Sequence, residues 1–285
     1  MTPGADNRDR PSGPLPAAQG GAWFMQSLAL LRRQASRLLF IAILMQLVLG
    51  LVQVPILGIL VVLSVPGLTA GILEAFHVTA RGGAPAMRLL FLPLATGNRR
   101  GRLFGLGALV FAVGILCVSL LLGGVLANLD EATLLRLQQG DVNALAEADP
   151  LFVMRLMAAF AISVAVSGTL TFFSVPLVWF RDRPMWPALT AGLAGLVRHW
   201  KALLVLGLVL AAASLPFALL VGVLLRIAAA GGALAYIATG LMMVLLLFFQ
   251  LLLFGTQYCS FRDIFGIGES APPPAPTGDD GQLVA

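Results

Sequence analysis

Residues 174–206 read SVPLVWFRDRPMWPALTAGLAGLVRHWKALLVL, and they contain the whole construction in miniature. An apolar run ends near Ser174-Val175-Pro176. A short basic loop with Arg181, Asp182 and Arg183 follows. Then Trp186, Leu189, Leu193, Leu196 and Trp200 recur at spacings of three, four, three and four, the signature of an amphipathic helix. Arg198 and Lys201 sit where that helix hands over to a second apolar run. A membrane helix leaves the bilayer, a helix lies along its surface, and the chain re-enters. Pro176 is read as a kink near the inner end of the departing helix.

Working outward, the composition supports this reading. The 285 residues are 59% hydrophobic and 11% charged, with a mean hydropathy of +0.95. Soluble domains carry about 25% charged residues, so the class is an integral membrane protein. Apolar runs near 20 residues select helices, since a barrel strand would show only about 10 residues of alternation. The expected fold is all-α, with six transmembrane helices in three units, each an amphipathic helix plus a helical hairpin. The spans fall near 38–53, 57–76, 103–126, 151–179, 202–225 and 233–254 within a membrane domain over 21–266.

Before that domain, residues 1–20 are rich in Pro, Gly, Asp and Arg and are expected as a disordered cytoplasmic tail. They contain no apolar core of a cleavable signal peptide, so the first span would serve as an uncleaved insertion signal. Trp23 to Arg37 is expected as the first amphipathic helix, with Phe24, Leu28, Leu31 and Leu38 on one face. Residues 38–76 are too long for one pass. The break belongs at Gln53-Val54-Pro55, where proline lacks a donor and disfavours helix before it. Residues 84–97 form the second amphipathic stretch, leading into Arg99, Arg100 and Arg102. On the third span, the Gly101-to-Gly105 spacing fits close helix contact. Residues 128–150 hold five acids against Arg136 and are expected as a solvated loop, with Asp130 capping a short helix. Residues 267–285 are expected as a second disordered cytoplasmic tail.

Charge sets the orientation. The formal net charge is +5, carried by seventeen Arg and one Lys against thirteen acids. With the N-terminus inside, fifteen basic residues fall on the cytoplasmic side and only Arg136, Arg155 and Arg226 outside. The expected localisation is therefore the bacterial inner membrane, with both termini cytoplasmic and an anionic leaflet as the facing partner. A further membrane protein or a second copy is a compatible partner. Nucleic acid is not, because no basic globular domain is present to carry it.

The residues singled out are positional. Trp23, Arg32, Arg33, Arg37, Arg99, Arg100, Trp186, Arg198, Trp200 and Lys201 read as interfacial anchors. Pro66, Pro176 and Pro216 read as helix kinks. Gln46, Gln53 and Gln250 are the polar residues inside spans, where glutamines usually bond across helices. Glu74 and His77 are spaced as Glu-x-x-His, a pair that di-iron bundles use in duplicate. A single copy reads instead as an interfacial pair at a helix end, with His77 against the C-terminal dipole. Cys117 and Cys259 have no redox or metal spacing. No catalytic motif, cofactor site or metal site is expected, and the chain reads as a non-enzymatic membrane scaffold or binding protein. The alternative is a channel or carrier for a small or lipidic solute, suggested by the prolines and the glycines of the third span.

At Gly21-Ala22-Trp23 with Leu31-Arg32-Arg33, at Val175 to Trp200, and at Tyr258 through Arg262-Asp263-Ile264-Phe265-Gly266, the chain resembles an uncharacterised proteobacterial family of multi-spanning inner-membrane proteins. It is similar, more distantly, to the membrane domain seen beside glycerophosphodiester phosphodiesterases. The resemblance covers most of residues 21 to 266 and implies an integral inner-membrane protein. The phosphodiesterase catalytic domain and its metal-binding acids have no counterpart here, so that activity is not carried over.

Overall fold

The computed structural model describes residues 15–127, 130, 133, 135–136 and 151–267. The expected tails over 1–14 and 268–285, and nearly all of the acidic loop over 128–150, lie outside the described residues. Within that loop, Asp130 Oδ1 accepts from the Thr133 backbone N–H at 3.2 Å, as an N-cap does.

In chain order the elements are α1 (Gln19–Arg33), α2 (Ala35–Gly50), a 3-10 turn at Leu51–Gln53 and α3 (Pro55–Ala80). A 3-10 turn at Met87–Leu90, the short α4 (Leu92–Ala95) and α5 (Gly97–Ala127) follow. The second half holds α6 (Phe152–Phe172), α7 (Ser174–Arg181), α8 (Met185–Arg198), α9 (Trp200–Ala229) and α10 (Ala233–Phe265). Among the described residues all regular structure is helical. Six stretches are long and apolar enough to cross a membrane: Ala35–Gln53, Ile56–Ala80, Gly97–Gly124, Phe152–Arg181, Trp200–Ala229 and Ala233–Phe265.

The boundaries follow from local chemistry. Val54 is extended (φ −91°, ψ 117°) and Pro55 is the first residue of α3, where its missing N–H has no helical acceptor to lose. The break at Gln53-Val54-Pro55 is thus where the sequence puts it. Between the first amphipathic helix and the first span the chain turns at Gln34 (φ −139°, ψ 40°), so Arg37 belongs to the first turn of α2. The second amphipathic stretch is shorter than expected and consists of the Met87–Leu90 turn and α4.

The three prolines differ. Pro66 and Pro216 lie inside the uninterrupted α3 and α9. Beside each, a serine two residues earlier donates to a backbone carbonyl: Ser64 to Val61 at 2.8 Å and Ser214 to Ala211 at 2.7 Å. Pro176 falls in the first turn of α7, and the helix break stands at Phe173. That break leaves Phe172 O without its usual i+4 donor, because the residue there is Pro176. Gln257 Nε2 supplies the bond instead, at 2.7 Å from α10.

Helices α5 and α6 pack as one hairpin and α9 and α10 as another, with α3 between them against α5, α10, α2 and α7. Helix α1 docks on α10 and α9. Alternating direction brings the ends rich in Arg together, and the core gathers there. Trp23, Leu38, Leu68, Leu73, Phe76, Leu103, Phe173, Val178 and Phe261 are all fully buried. The far halves of α5, α6 and α9 expose Leu120, Met157, Phe160, Leu215 and Leu219, as a lipid-facing surface does.

Helix α10 departs most from expectation. The expected span is 233–254, yet the helix runs 33 residues to Phe265, about 50 Å at 1.5 Å per residue. That exceeds the ~30 Å hydrocarbon thickness, so the last turns stand at the Arg-rich end. They are also deeply buried: Gly255 through Phe261, Ile264 and Phe265 are all inside. Gly266 stops the helix at φ 62°, a conformation that suits glycine.

Glycines set the closest approaches. On α5, Gly101 and Gly114 face open space and Gly105 meets the Met185 side chain of α8, so the Gly101-to-Gly105 spacing marks one side-chain contact and not the closest backbone approach. Gly107 marks that approach, because a Cβ there would overlap the carbonyl group of Leu63 on α3. On α8, Gly192 lies against Ser174 and Phe173, and Gly195 against Phe265. The small residues of α8 thus face the protein, while Trp186, Leu193 and Trp200 of the expected stripe turn outward and Leu189 is buried.

Candidate functional site

The polar side chains of the Arg-rich end form a set of ties between helices. Asp263, near the end of α10, is the best satisfied. Its Oδ2 accepts from Gln19 Nε2 at 2.8 Å and from Trp23 Nε1 at 2.9 Å, both on α1. Its Oδ1 takes the Arg262 guanidinium at 3.2 Å, and Arg262 also donates to Gln26 Oε1 at 2.8 Å. Ser27 Oγ donates to Leu252 O at 3.0 Å where Gly255 lets α1 and α10 close up. Helix α1 is therefore keyed to α10 along its length.

A second tie crosses α3, α7 and α10. Trp179 Nε1 donates to Glu74 Oε2 at 2.7 Å, and His77 Nδ1 lies 3.1 Å from the Tyr258 hydroxyl. Phe180 closes over this group, with its ring 5.4 Å from His77 and 5.8 Å from Phe261. Glu74 and His77 are thus not an interfacial pair at a free helix end, as their spacing suggested. They face inward, because one helical turn brings both onto the side of α3 that meets α7 and α10.

A third tie holds the loop after α7. Asp182 ends that helix in the left-handed region at φ 51°, unusual for a residue with a Cβ. Its carboxylate receives Arg99 at 3.2 Å and Arg102 at 3.0 Å, and Arg102 also donates to its carbonyl. Arg99 reaches Trp179 O at 3.0 Å and stacks over the indole, 5.2 Å from its centre. Arg181 donates to Phe265 O at 2.5 Å and also to Gly266 O, satisfying carbonyls freed at the end of α10.

A fourth contact involves His199, buried between α8 and α9. Its Nδ1 accepts from the Leu15 backbone N–H at 3.3 Å, and its Nε2 is buried with no hydrogen-bond partner among the described residues. Leu15, Gln19 and Gly20, expected as tail, are therefore already against the bundle. Burial, and then the neighbouring Arg198, hold the imidazole below its ordinary value of 6.5. The folded state thus favours neutral His199, while the unfolded chain takes up a proton more readily. Stability from this group is fully present above about pH 6.5 and falls as pH drops below it. Denaturation of the wild type is expected to show stability falling as pH drops below about 6.5. H199N, which keeps an acceptor without a titration, is expected to flatten that dependence.

The sequence-predicted residues divide accordingly. Arg32, Arg33, Arg37, Arg100, Trp186, Arg198, Trp200 and Lys201 are exposed around the Arg-rich end, while Arg99 is half-buried in the third tie. Trp23 is a correction: it has no exposed surface, because its indole is held between α1 and α10 by packing and by Asp263. Gln46 Nε2 donates to Gln250 Oε1 at 2.6 Å, joining α2 to α10 across the helices. Gln53 is exposed in the 3-10 turn. Cys259 is buried and Cys117 half-buried, both as free thiols. Sequence reasoning missed Tyr258, Asp263, Gln257 and His199 as ties; the only signal was that polar residues interrupt apolar periodicity at 257–263.

Chemically, these groups are engaged with one another. Among the described residues, no three His, Cys, Asp or Glu side chains converge in a way that could hold a metal ion. Two shallow pockets lie among the described residues. One of about 430 Å³ is apolar and lies along α3, α5 and α6, lined by Phe111, Gly114, Ser119 and Ser167 among others. The other, about 300 Å³, lies beside Arg37 at the start of α2. No family model matches the chain, no curated protein matches it, and no solved structure matches it. What the fold defines is a class: an all-α, multi-pass helical bundle with a tied, basic end.

Proposed function

We propose that the protein is a non-catalytic scaffold or binding protein of the bacterial inner membrane, with both termini and the Arg-rich end in the cytoplasm. The positive-inside bias supports the orientation. The resemblance carried by residues 21–23, 31–33, 175–200 and 258–266 supports the compartment, and kinship with that inner-membrane family is part of the proposal. Proposed partners are the anionic cytoplasmic leaflet and either a second copy or another membrane protein against the exposed faces of α6 and α9.

The observation that carries the reading is the engagement of the polar groups at one end. Glu74, His77, Asp263, Arg262 and Gln257 each bond to a different helix or its neighbour. Alternating access works largely by rocking one bundle against another. Here α3, which packs between the α5–α6 and α9–α10 hairpins, is joined directly to α10 through His77 and Tyr258. A second reading, a carrier for a lipidic solute, is favoured by the apolar pocket beside Gly114.

Spin labels at the exposed positions Arg100→Cys on α5 and Lys201→Cys on α9 test the choice in lipid nanodiscs. The scaffold reading expects one narrow distance distribution, unchanged between mildly acidic and mildly alkaline buffer. Two resolved distances that exchange in weight would favour the carrier.

A further inference from the structure

The pocket beside Arg37 is not used by any of the ties. Its walls are Arg37 and Phe40 from α2 and Ala84, Pro85, Ala86 and Met87 from the segment after α3. Arg37 is exposed and makes no hydrogen bond or ion pair among the described residues. Phe40 and Met87 are each more than half exposed, as lipid-facing side chains elsewhere on the bundle are, so the apolar side of this cavity is open to hydrocarbon. The lining is therefore one free guanidinium at the rim and an apolar wall below it.

Charge narrows the occupant. Glu74 is the only acid between Asp9 and Asp130, and its carboxylate is engaged by Trp179. Arg32 and Arg33, exposed at the end of α1, stand within five residues of Arg37, and Arg88 follows Met87 directly. No carboxylate from α1, α2 or the 84–87 segment competes for Arg37. The pocket also sits where a span begins, since α2 starts at Ala35. An anionic head at that level continues into hydrocarbon, and a pocket of about 300 Å³ takes the head and the first part of a chain, not a whole lipid.

We propose that this pocket is a binding site for one anionic phospholipid, its phosphate on Arg37 and the start of an acyl chain against Phe40 and Met87. Arginine suits this role because its planar guanidinium can donate two parallel bonds to a phosphate. The site rests on the reading that the Arg-rich end meets the headgroups. Binding measured in detergent tests the pocket separately from that orientation.

The test is native mass spectrometry of the full chain in detergent, titrated with phosphatidylglycerol, with phosphatidylcholine of the same chains, and with inorganic phosphate. Wild type is expected to hold one phosphatidylglycerol about tenfold more tightly than phosphatidylcholine. R37Q is expected to weaken phosphatidylglycerol about tenfold, with little change for phosphatidylcholine. A86F, which fills the apolar wall from an exposed position, is expected to weaken both lipids. R88Q keeps the pocket and is expected to lose less than about twofold. Equal binding by R37Q and wild type would overturn the proposal. So would an R88Q loss as large as that of R37Q, which would indicate a diffuse basic surface. Inorganic phosphate binding as tightly as the lipid would also overturn it, since the acyl wall would then add nothing.

Discussion

Trp23→Ala is expected to lower stability by about 3–5 kcal/mol, the range for removing a large buried aromatic. Trp23 has no exposed surface, and its indole fills the seam where α1 meets α10 and α9. The cost has two parts that a second variant separates. W23F keeps most of the ring volume but removes the N–H that reaches Asp263 at 2.9 Å. The half-buried carboxylate then keeps Gln19 and Arg262 but loses one donor, a cost of about 1 kcal/mol. Reversible denaturation in detergent micelles reads both. Because α1 is the element keyed by Asp263, W23A is also expected to free α1 before the rest of the bundle opens. Hydrogen exchange should then show early loss of protection over Gln19–Arg33. A W23A variant as stable as the wild type would mean that α1 is not docked as described.

The second large effect is expected at Gly107. A Cβ there would stand 2.7 Å from the Leu63 carbonyl carbon and 2.9 Å from its Cα, and closer still to its oxygen. These are backbone atoms of another helix and cannot rotate away. Gly107→Ala must push α3 and α5 apart, which costs about 1–3 kcal/mol for overpacking. Gly107→Leu is expected to cost more and to reduce the yield of monodisperse protein. Gly114→Ala is the control on the same helix, because nothing lies within 4 Å of its added Cβ. It is expected to be neutral or to stabilise by up to about 1 kcal/mol through helix propensity. Opposite outcomes from two Gly→Ala changes seven residues apart would identify the α3–α5 contact by sequence position.

Much of the bundle was legible from periodicity and charge. The break at Gln53-Val54-Pro55 follows from one residue's missing donor and its restriction on the residue before it, both local properties. The Arg clusters mark one end because alternate helices run in opposite directions. What was not legible depends on distance along the chain. Trp23 and Asp263 are 240 residues apart, and His77 and Tyr258 are 181 apart. Trp23 and His77 each read alone as an interfacial residue, since only the fold supplies the partner that makes burial tolerable. The extension of α10 was missed for the same reason. Hydropathy ends the span at Phe254, but Gln257, Arg262 and Asp263 continue the helix because their polar atoms are satisfied by α6, α1 and each other. The Gly101-to-Gly105 motif is half informative, since Gly105 meets Met185 of α8 while Gly101 faces open space. Small-residue spacing says that close approach is allowed, not where a neighbour stands.

The two ends of the bundle therefore differ in kind. One holds the core, the ties and most of the exposed arginines, and the other presents apolar helix faces. The orientation of that asymmetry in a membrane is the centre of the account. It is tested by single cysteines at Arg100 and Ala230, both exposed, with Cys117 replaced by serine and Cys259 left buried. A membrane-impermeant maleimide added to intact spheroplasts should label Ala230→Cys, in the turn between α9 and α10. It should leave Arg100→Cys unlabelled until the membrane is opened. Labelling of Arg100→Cys in intact spheroplasts, with Ala230→Cys protected, would contradict the account.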